Sequence, residues 1–156
     1  LEKLSVAIVG DLKYGRTAHS LAQACAHFDM RLYFVCPEGL EMPEYVCDDI
    51  RKKGIKFSFH KSIDQVIRKV DVLYMTRLQD ERIATLHQAP TYSQEFILTQ
   101  ELLDQGKENL RILHPLPRRQ ELPSTIDSSP HAYYFQQAEN GVYVRQALLA
   151  LILGQL

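Results

Sequence analysis

The chain has 156 residues, of which 46% are hydrophobic and 24% charged, and its formal net charge is −1. This composition is typical of a single globular domain, and the near-neutral charge provides no basic field for nucleic acid. No apolar run reaches the ~18 residues of a membrane span, and the N-terminus lacks a signal-peptide pattern. Cys25, Cys36 and Cys47 are odd in number and lack zinc spacing, which indicates free thiols in a cytoplasmic protein.

Five short apolar runs predict strands, and several of them are rich in β-branched and aromatic residues. The runs occupy residues 5–10, 31–37, 56–60, 71–76 and 110–115. Amphipathic patterns predict helices from about Thr17 to Phe28, from Met42 to Lys53 and from Ser62 to about Lys69. Alternating helices and buried strands predict an α/β fold, with an open parallel sheet of about five strands flanked by helices.

Two later segments are less regular. The stretch from Gln79 to Gln105 carries charges, a proline and turn residues, and it predicts a long exposed loop with some helix. The C-terminal stretch "GVYVRQALLALILGQL" predicts a helix with no polar residue from Ala147 to Leu153. A surface helix has a polar face, so we expect this one to be covered, either by its own domain or by part of a larger protein. The strand pattern that begins almost at the first residue likewise suggests the edge of a larger protein.

The loop after the first strand, "GDLKYGRT" from Gly10 to Thr17, differs by one residue from a phosphate-binding P-loop. Arg16 stands in place of the lysine, and a planar guanidinium suits a carboxylate better than it replaces that point charge. The residues between the glycines are bulky, which disfavours a tight phosphate cradle. The residue still lies at a helix N-terminus, where anions are favoured.

Unusual residues also follow the fourth and fifth strands, and ligands bind at the carboxyl ends of strands in such sheets. In "MTRLQDER", Arg77 and Gln79 are two residues apart, so extended chain would direct both to the same side, with Arg82 close behind. A solvated charged loop is the alternative interpretation of this stretch.

In "HPLPRR", prolines end the fifth strand and would leave backbone carbonyls facing a ligand. A cis bond before Pro117 suits such a turn. His114 is favoured as a structural hydrogen-bonding residue over a general base.

These features together indicate a ligand with two carboxylates, such as a dicarboxylic amino acid, because each guanidinium fork matches one carboxylate. The sequence contains no apparent Ser-His-Asp arrangement, cysteine nucleophile or metal-ligand spacing. We therefore expect no metal, no cofactor and no covalent catalytic residue, and any chemistry would depend on positioning and electrostatics.

The motifs "VGDLKYGRTAHSL", "DVLYMTRLQDER", "ILHPLPR" and "AYYFQQAENGVYVRQALLALIL" resemble, in order, the second half of aspartate carbamoyltransferases. The resemblance runs through essentially the whole chain, and it implies a single Rossmann-like aspartate-binding domain over residues 1–156. That family transfers a carbamoyl group from carbamoyl phosphate to L-aspartate in pyrimidine biosynthesis. Ornithine carbamoyltransferases have H-C-L-P where this chain has Pro115, and paired arginines would repel the ornithine ammonium.

The resemblance also implies roles for individual residues. Arg16 and Arg77 match the arginines that hold the aspartate carboxylates, and Gln79 matches an amide that helps to place this substrate. Lys13 and Tyr14 would take part in closure between domains, and Arg82 would form an interdomain salt bridge.

The third motif matches the backbone that contacts carbamoyl phosphate, through Pro115, Leu116 and Pro117, with a cis Leu116–Pro117 bond. The first half of that family carries the main carbamoyl phosphate ligands, and no such segment is present in this chain. The resemblance therefore implies that this chain alone has little or no transferase activity. It implies as partners the N-terminal carbamoyl phosphate-binding domain, the other subunits of a cytoplasmic homotrimer, and in some enzymes regulatory chains.

Two alternatives remain open from the residues themselves. One is a standalone module that binds an amino acid or a nucleotide without chemistry, and the other is a purely structural domain. Magnesium-dependent ATP binding would favour the first, and the absence of any ligand effect on thermal stability would favour the second.

Overall fold

A five-stranded, all-parallel sheet forms the centre of the molecule, as the alternating pattern predicts. The computed structural model describes residues 3–77 and 94–155. The strands are β1 (Ser5–Val9), β2 (Arg31–Val35), β3 (Phe57–His60), β4 (Val72–Met75) and β5 (Arg111–Leu113). Their order is β3-β2-β1-β4-β5, so the direction of winding reverses at β1. The carboxyl ends of β1 and β4 therefore flank the crevice in which open α/β sheets bind ligands.

The described α-helices are α1 (Arg16–Cys25), α2 (Glu44–Lys52), α3 (Gln100–Leu103) and α4 (Tyr134–Ile152). The helices α1 and α2 cover one face of the sheet, where Ile8, Phe34 and Ile50 are fully buried. On the other face, short 3₁₀ turns, α3 and the start of α4 cover Val9 and Met75. The two apolar layers explain why β1 and β4 read as continuous hydrophobic runs.

The third predicted helix, Ser62 to Lys69, is wrong in type. Only a 3₁₀ turn forms at Ile63–Gln65, and the Ser62 side chain makes no capping hydrogen bond. Ile63, Val66 and Ile67 are nevertheless fully buried, as the pattern predicts. Three β-branched residues in five positions disfavour a regular helix, so packing of these side chains decides the local backbone.

The first helix ends three residues earlier than predicted, at Cys25. The following amides of His27 and Phe28 bond to carbonyls three residues back, which forms a tighter turn into β2. Phe28 is consequently 42% exposed and does not join the apolar stripe of Ala18, Ala22 and Cys25.

Part of the predicted loop between Gln79 and Gln105 lies outside the described residues. The described part, from residue 94, contains a 3₁₀ turn at Gln94–Phe96 and helix α3, which Thr99 caps by accepting the Leu102 amide. Phe96, Leu98 and Leu103 are buried, so this part packs against the sheet and is not an exposed loop.

Helix α4 begins earlier than predicted, at Tyr134, and only its start is packed. Tyr134 is fully buried, whereas Leu149, Leu151 and Ile152 are 61%, 63% and 78% exposed. The expectation that the apolar stretch is covered is therefore not met by the described residues of this chain. No described helix is both long enough and apolar enough to pass through a bilayer.

Candidate functional site at the carboxyl edge of the sheet

Close backbone contact joins the ends of β1 and β4. Gly10 has a φ of +119°, and a Cβ atom there would lie 2.3 Å from the Thr76 carbonyl oxygen. The Thr76 hydroxyl donates a 2.8 Å hydrogen bond to the Val9 carbonyl, which holds the same two strand ends together. Only glycine combines this conformation with so close an approach, so residue 10 shapes the floor of the crevice.

The loop from Gly10 to Thr17 does not form a phosphate cradle. The amides of Gly10, Leu12 and Tyr14 donate hydrogen bonds of 3.0, 3.2 and 2.9 Å to oxygens within the protein. A P-loop binds phosphates through its amides, and three amides of this loop are already occupied within the protein. The arginine in place of lysine and the three occupied amides thus both disfavour nucleotide binding by this loop.

Arg16 is the first residue of α1, with an exposed side chain at the helix N-terminus. Gly15 precedes it as the N-cap, and a Cβ on Gly15 would lie 2.4 Å from the Asp11 carbonyl oxygen. The buried Asp11 accepts the Tyr14 amide through Oδ1, which closes the turn before the helix. Arg16 thus lies in the chain between Gly15 and Thr17, which line the cavity described below, and its contact with a carboxylate remains a prediction.

Arg77 directly follows Thr76 beyond the end of β4, and its side chain is half-buried. Gln79 and Arg82 lie outside the described residues, so their shared orientation with Arg77 remains a prediction. Lys13 is exposed, and its ammonium group lies 5.5 Å from the Tyr14 ring centroid. Lys13 and Tyr14 are near the rim but do not line the cavity described below.

The loop after β5 contains the predicted cis bond between Leu116 and Pro117. Leu116 has a φ of +55°, a conformation that residues with a Cβ seldom adopt. Such outliers concentrate at ligand sites, where the surrounding structure holds them. Pro115 and Pro117 are exposed on either side of this residue.

His114 is a structural hydrogen-bonding residue, as the sequence favours. Its side chain is 1% exposed, its Nδ1 accepts the Leu116 amide at 2.8 Å, and its Nε2 lies 3.0 Å from Glu121 Oε1. Since an amide occupies Nδ1, the ring proton is on Nε2 and is donated to Glu121. Burial raises the pKa of Glu121, but hydrogen bonds from His114 and from the Arg119 amide outweigh it and lower the pKa below its ordinary value.

These three strand ends enclose a cavity of about 160 Å³. Its lining includes three residues that the sequence predicts for carbamoyl phosphate, together with one predicted for aspartate. Lining residues are Asp11, Gly15, Thr17, Thr76, Arg77, His114, Pro115, Leu116 and Pro117. Ligand pockets for larger molecules measure ~300–1,000 Å³, so this cavity suits a small anion and not a nucleotide.

The structure thus brings together Arg77 and the 115–117 backbone, with Arg16 adjacent. Sequence reasoning missed the contributions of Asp11, Thr17 and Thr76 to the lining. Asp11 and Thr76 each come directly at or after a strand end, so their position was an available signal. Thr17 also hydrogen-bonds to the buried Tyr74, which fixes the start of α1 against β4.

A larger concavity of about 710 Å³ lies at the same edge, beyond β2 and β3. Glu38, Glu41 and Glu95 contribute three carboxylates there, against the ammonium group of Lys61, and a histidine also lines the concavity. Burial lowers the pKa of that histidine, His60, which disfavours its charged form. The excess of carboxylates in this larger concavity disfavours an anionic ligand, and the concavity lies away from the reversal of the sheet at β1. The smaller cavity is therefore the better candidate for the ligand site.

The cysteines and acidic groups supply no further chemistry at this edge. Cys25, Cys36 and Cys47 are free and buried, and burial raises the pKa of the Cys36 thiol to about 12. No group of three or more His, Cys, Asp or Glu residues within 3–77 and 94–155 is arranged to hold a metal ion.

Comparison with known proteins identifies relatives that match almost the whole chain. Residues 2–152 match the family model described as aspartate/ornithine carbamoyltransferase, Asp/Orn binding domain. The aspartate carbamoyltransferase catalytic subunit of Vibrio campbellii is 54% identical over 156 residues, covering 99% of this chain and 50% of that protein. A second such subunit, from Shewanella halifaxensis, is 54% identical over 98% of this chain and 49% of its own length.

Solved structures show the same relationship. The catalytic subunit of M. jannaschii aspartate transcarbamoylase aligns with a TM-score of 0.89 and 36% identity, over 99% of this chain and 52% of that one. Aspartate transcarbamoylase from Trypanosoma cruzi, in complex with carbamoyl aspartate and phosphate, aligns with a TM-score of 0.83 and 35% identity, over 95% of this chain and 47% of that one.

The chain therefore spans about half the length of the relatives it matches. The parallel sheet, the glycine-pinned crevice and the turn after β5 occur within the segment that the family model matches. The chain belongs to the aspartate/ornithine carbamoyltransferase family, and it matches that family's Asp/Orn-binding domain.

Proposed function

We propose that this chain is the aspartate-binding domain of an aspartate carbamoyltransferase and that residues 1–156 form one such domain. In this reaction the amino nitrogen of L-aspartate attacks the carbonyl carbon of carbamoyl phosphate. The bond from that carbon to the phosphate oxygen breaks, the nitrogen loses a proton, and carbamoyl aspartate and phosphate are formed. The product feeds pyrimidine biosynthesis.

The observation that carries this proposal is the cavity at the reversal of the sheet. A half-buried guanidinium, Arg77, and the Pro115–Pro117 backbone line the same small space, and Arg16 lies at its rim. Charge-assisted bonds from two guanidinium forks would hold the two carboxylates of aspartate in a fixed orientation. The Leu116 region would contact carbamoyl phosphate, and Gln79 would help to place aspartate.

The residues of this chain act by positioning and electrostatics, and we assign none of them as a catalytic acid, base or nucleophile. Holding two reactants in a fixed orientation removes much of the entropic cost of a bimolecular step. His114 is buried with both ring nitrogens engaged, so it does not serve as the base in this arrangement. Neither a metal nor a cofactor enters the proposed reaction.

Aspartate, and not ornithine, is the proposed amino substrate. Arg16 and Arg77 would repel the side-chain ammonium of ornithine, while they match a second carboxylate. The relatives in Vibrio campbellii and Shewanella halifaxensis carry the name aspartate carbamoyltransferase, which supports the same choice. Pro115 stands where ornithine carbamoyltransferases have a cysteine.

The remaining ligands of carbamoyl phosphate are proposed to come from the other half of the full-length protein and from a neighbouring subunit. The exposed apolar side chains of α4, including Leu149 and Ile152, would pack against that carbamoyl phosphate-binding half. Lys13, Tyr14 and Arg82 would take part in closure between the halves. We further propose a cytoplasmic homotrimer, which regulatory chains bind in some enzymes.

The proposal is tested by measuring carbamoyl aspartate formation by this chain alone and by the full-length protein. The full-length protein should turn over, and this chain alone should show no product above background. A full-length protein that binds aspartate without turnover would instead support a binding module. Magnesium-dependent ATP binding by either protein would contradict our interpretation of the loop from Gly10 to Thr17.

A further inference from the structure

The turn after β5 is closed by two buried side chains, His114 and Glu121, which we call the His–Glu clasp. The imidazole bonds to the Leu116 amide on one side and to Glu121 Oε1 on the other. The same oxygen accepts the Arg119 amide at 2.8 Å. One imidazole and one carboxylate thus connect the beginning, the middle and the end of the turn.

The rest of the protein holds the clasp in place. The His114 amide donates a 3.0 Å hydrogen bond to Gln137 Oε1 on α4. The Glu121 carbonyl accepts the Leu98 amide, also at 3.0 Å, from the segment before α3. The clasp is therefore anchored on two sides, so its side chains restrain the backbone of the turn.

His114 contributes to the cavity lining, but both of its ring nitrogens are engaged within the protein, so neither side chain is free to react with a ligand. The His114 and Glu121 side chains are 1% and 2% exposed, and Glu121 is not part of the cavity lining. A polar pair buried this deeply is costly unless its hydrogen bonds are made, so it needs a structural or functional reason.

The backbone at Leu116 supplies that reason. Its positive φ is unfavourable for a leucine and persists only when neighbouring groups hold it. The hydrogen bond from the Leu116 amide to His114 Nδ1 is such a restraint, and Glu121 fixes the ring that accepts it. Without the clasp, the peptide bond before Leu116 would lose this restraint.

We infer that His114 and Glu121 are positioning residues that set the affinity for carbamoyl phosphate by fixing the backbone of Leu116 and Pro117. This inference rests on the proposed function, because it assigns that backbone to carbamoyl phosphate. The clasp acts on one substrate only, since Arg16 and Arg77 belong to other strand ends.

The two hydrogen bonds of the imidazole are separable by substitution. In His114→Asn, the amide oxygen takes the place of Nδ1 and still accepts the Leu116 amide, while the contact with Glu121 is lost. In His114→Gln, the amide nitrogen takes the place of Nε2 and reaches Glu121, but nothing accepts the Leu116 amide. Glu121→Gln retains an oxygen acceptor for both donors, whereas Glu121→Ala retains none.

The experiment measures KM for carbamoyl phosphate and KM for aspartate separately, in the full-length protein. In His114→Gln, which loses the hydrogen bond from the Leu116 amide, and in Glu121→Ala, which leaves the imidazole and the Arg119 amide without their acceptor, we expect the KM for carbamoyl phosphate to rise about tenfold. The KM for aspartate should be unchanged in both variants. The KM for carbamoyl phosphate should rise less in His114→Asn, and in Glu121→Gln it should stay close to the wild-type value.

Asp71→Asn is the matched control for general destabilisation. Asp71 accepts the Ser5 amide and the Lys107 ammonium at the amino end of the sheet, away from the cavity. This variant should lower thermal stability and leave both KM values unchanged. If His114→Gln and Glu121→Ala fail to fold, the comparison of His114→Asn with Glu121→Gln is still decisive, because only the first breaks the clasp.

Several outcomes would overturn the inference. Equal increases in both KM values, a loss confined to kcat, or a Glu121→Gln variant as impaired as Glu121→Ala would each contradict a role in positioning carbamoyl phosphate. An active wild-type protein with unchanged KM values in every variant would refute the positioning role alone. A wild-type protein that makes no carbamoyl aspartate would refute the proposed function and the positioning role with it.

Discussion

The carboxyl edge of the sheet and helix α4 differ in how far their side chains find hydrogen bonds or apolar contacts within this chain. At the edge, buried polar side chains make hydrogen bonds within the chain: His114 with Glu121 Oε1, and the Thr76 hydroxyl with a β1 carbonyl. Among the described residues, only the second oxygen of Glu121, Oε2, is buried there without a hydrogen bond in this pair. On α4, apolar side chains such as Leu149 and Leu151 are more exposed than buried. The contrast teaches that residues of this chain organise the site, whereas the helix presents an apolar surface that this chain leaves uncovered among the described residues.

The largest loss of stability is expected when the carboxyl edge of the sheet is disrupted. In Gly10→Ala, the new Cβ would lie 2.3 Å from the Thr76 carbonyl oxygen, at a φ of +119°. We expect a loss of about 3 kcal/mol in the free energy of unfolding, from combined strain and overpacking. Urea denaturation of the 156-residue chain measures it. Gly39→Ala is the control, because its φ is also positive but no atom lies within 4 Å of the added Cβ. Equal losses in both variants would show that the close approach is unimportant.

The ligand chemistry of the edge is tested at Arg77. Arg77→Ala in the full-length protein should lower kcat/KM for aspartate roughly 100-fold, because a charge-assisted pair worth up to ~3 kcal/mol is lost. Arg77→Lys should recover only part of it, since an ammonium cannot form the bidentate fork. Steady-state kinetics measures both variants. A fully active Arg77→Lys would show that charge suffices and that the fork is unnecessary.

Substitutions on helix α4 should change self-association and leave folding stability almost unchanged. The double substitution Leu149→Gln and Ile152→Gln should weaken self-association of the 156-residue chain roughly tenfold, because apolar surface available for burial is lost. Its unfolding free energy should change by less than ~0.5 kcal/mol per site, as at other exposed positions. Sedimentation velocity and binding of a hydrophobic dye measure the first quantity, and urea denaturation the second. A chain that is strictly monomeric and binds no dye before substitution would contradict this view of α4.

The smallest effect is expected at the junction between the two regions. Arg118 forms a two-pronged pair with Asp127, which also accepts the Tyr134 hydroxyl at the start of α4. The hydrogen bonds from Arg118 lower the pKa of Asp127 to about 2. A folded-state pKa below the unfolded value means that the unfolded chain binds more protons, so this stability is present near neutral pH and is lost as pH falls toward 2.

Because the Arg118–Asp127 pair is partly exposed, we expect it to contribute less than ~1 kcal/mol. The stability difference between wild type and Asp127→Asn should therefore shrink between about pH 5 and pH 2. Urea denaturation across that range measures it. A difference that grows on acidification would contradict the assignment.

The sequence predicts the architecture well because strand periodicity and strand ends carry the information. The runs at residues 5–10 and 71–76 contain β1 and β4, and the residues that follow them, Arg16 and Arg77, reach the crevice or its rim. The prediction of a cis bond between Leu116 and Pro117 is also confirmed. The residues alone only allow this bond, and the resemblance to a family predicts it. Prediction is strongest where one residue's position along a strand fixes where it lies.

Features that depend on tertiary contacts were not predictable. The pairing of His114 with Glu121 joins residues seven positions apart through a turn whose geometry no local pattern specifies. The 3₁₀ turn at Ile63–Gln65 appears where the pattern indicates a helix, because burial of β-branched side chains outweighs helix propensity. The roles of Gln79 and Arg82 remain predictions.

The central claim, that aspartate binds at the ends of β1 and β4, is tested most directly by amide chemical shifts. The ¹⁵N-labelled chain is titrated with L-aspartate to millimolar concentration. We predict shifts at Gly15, Thr17 and Arg77, and none at His60 or Lys61 in the larger concavity. Shifts confined to His60 and Lys61, or no shift at the carboxyl ends of β1 and β4, would contradict the account.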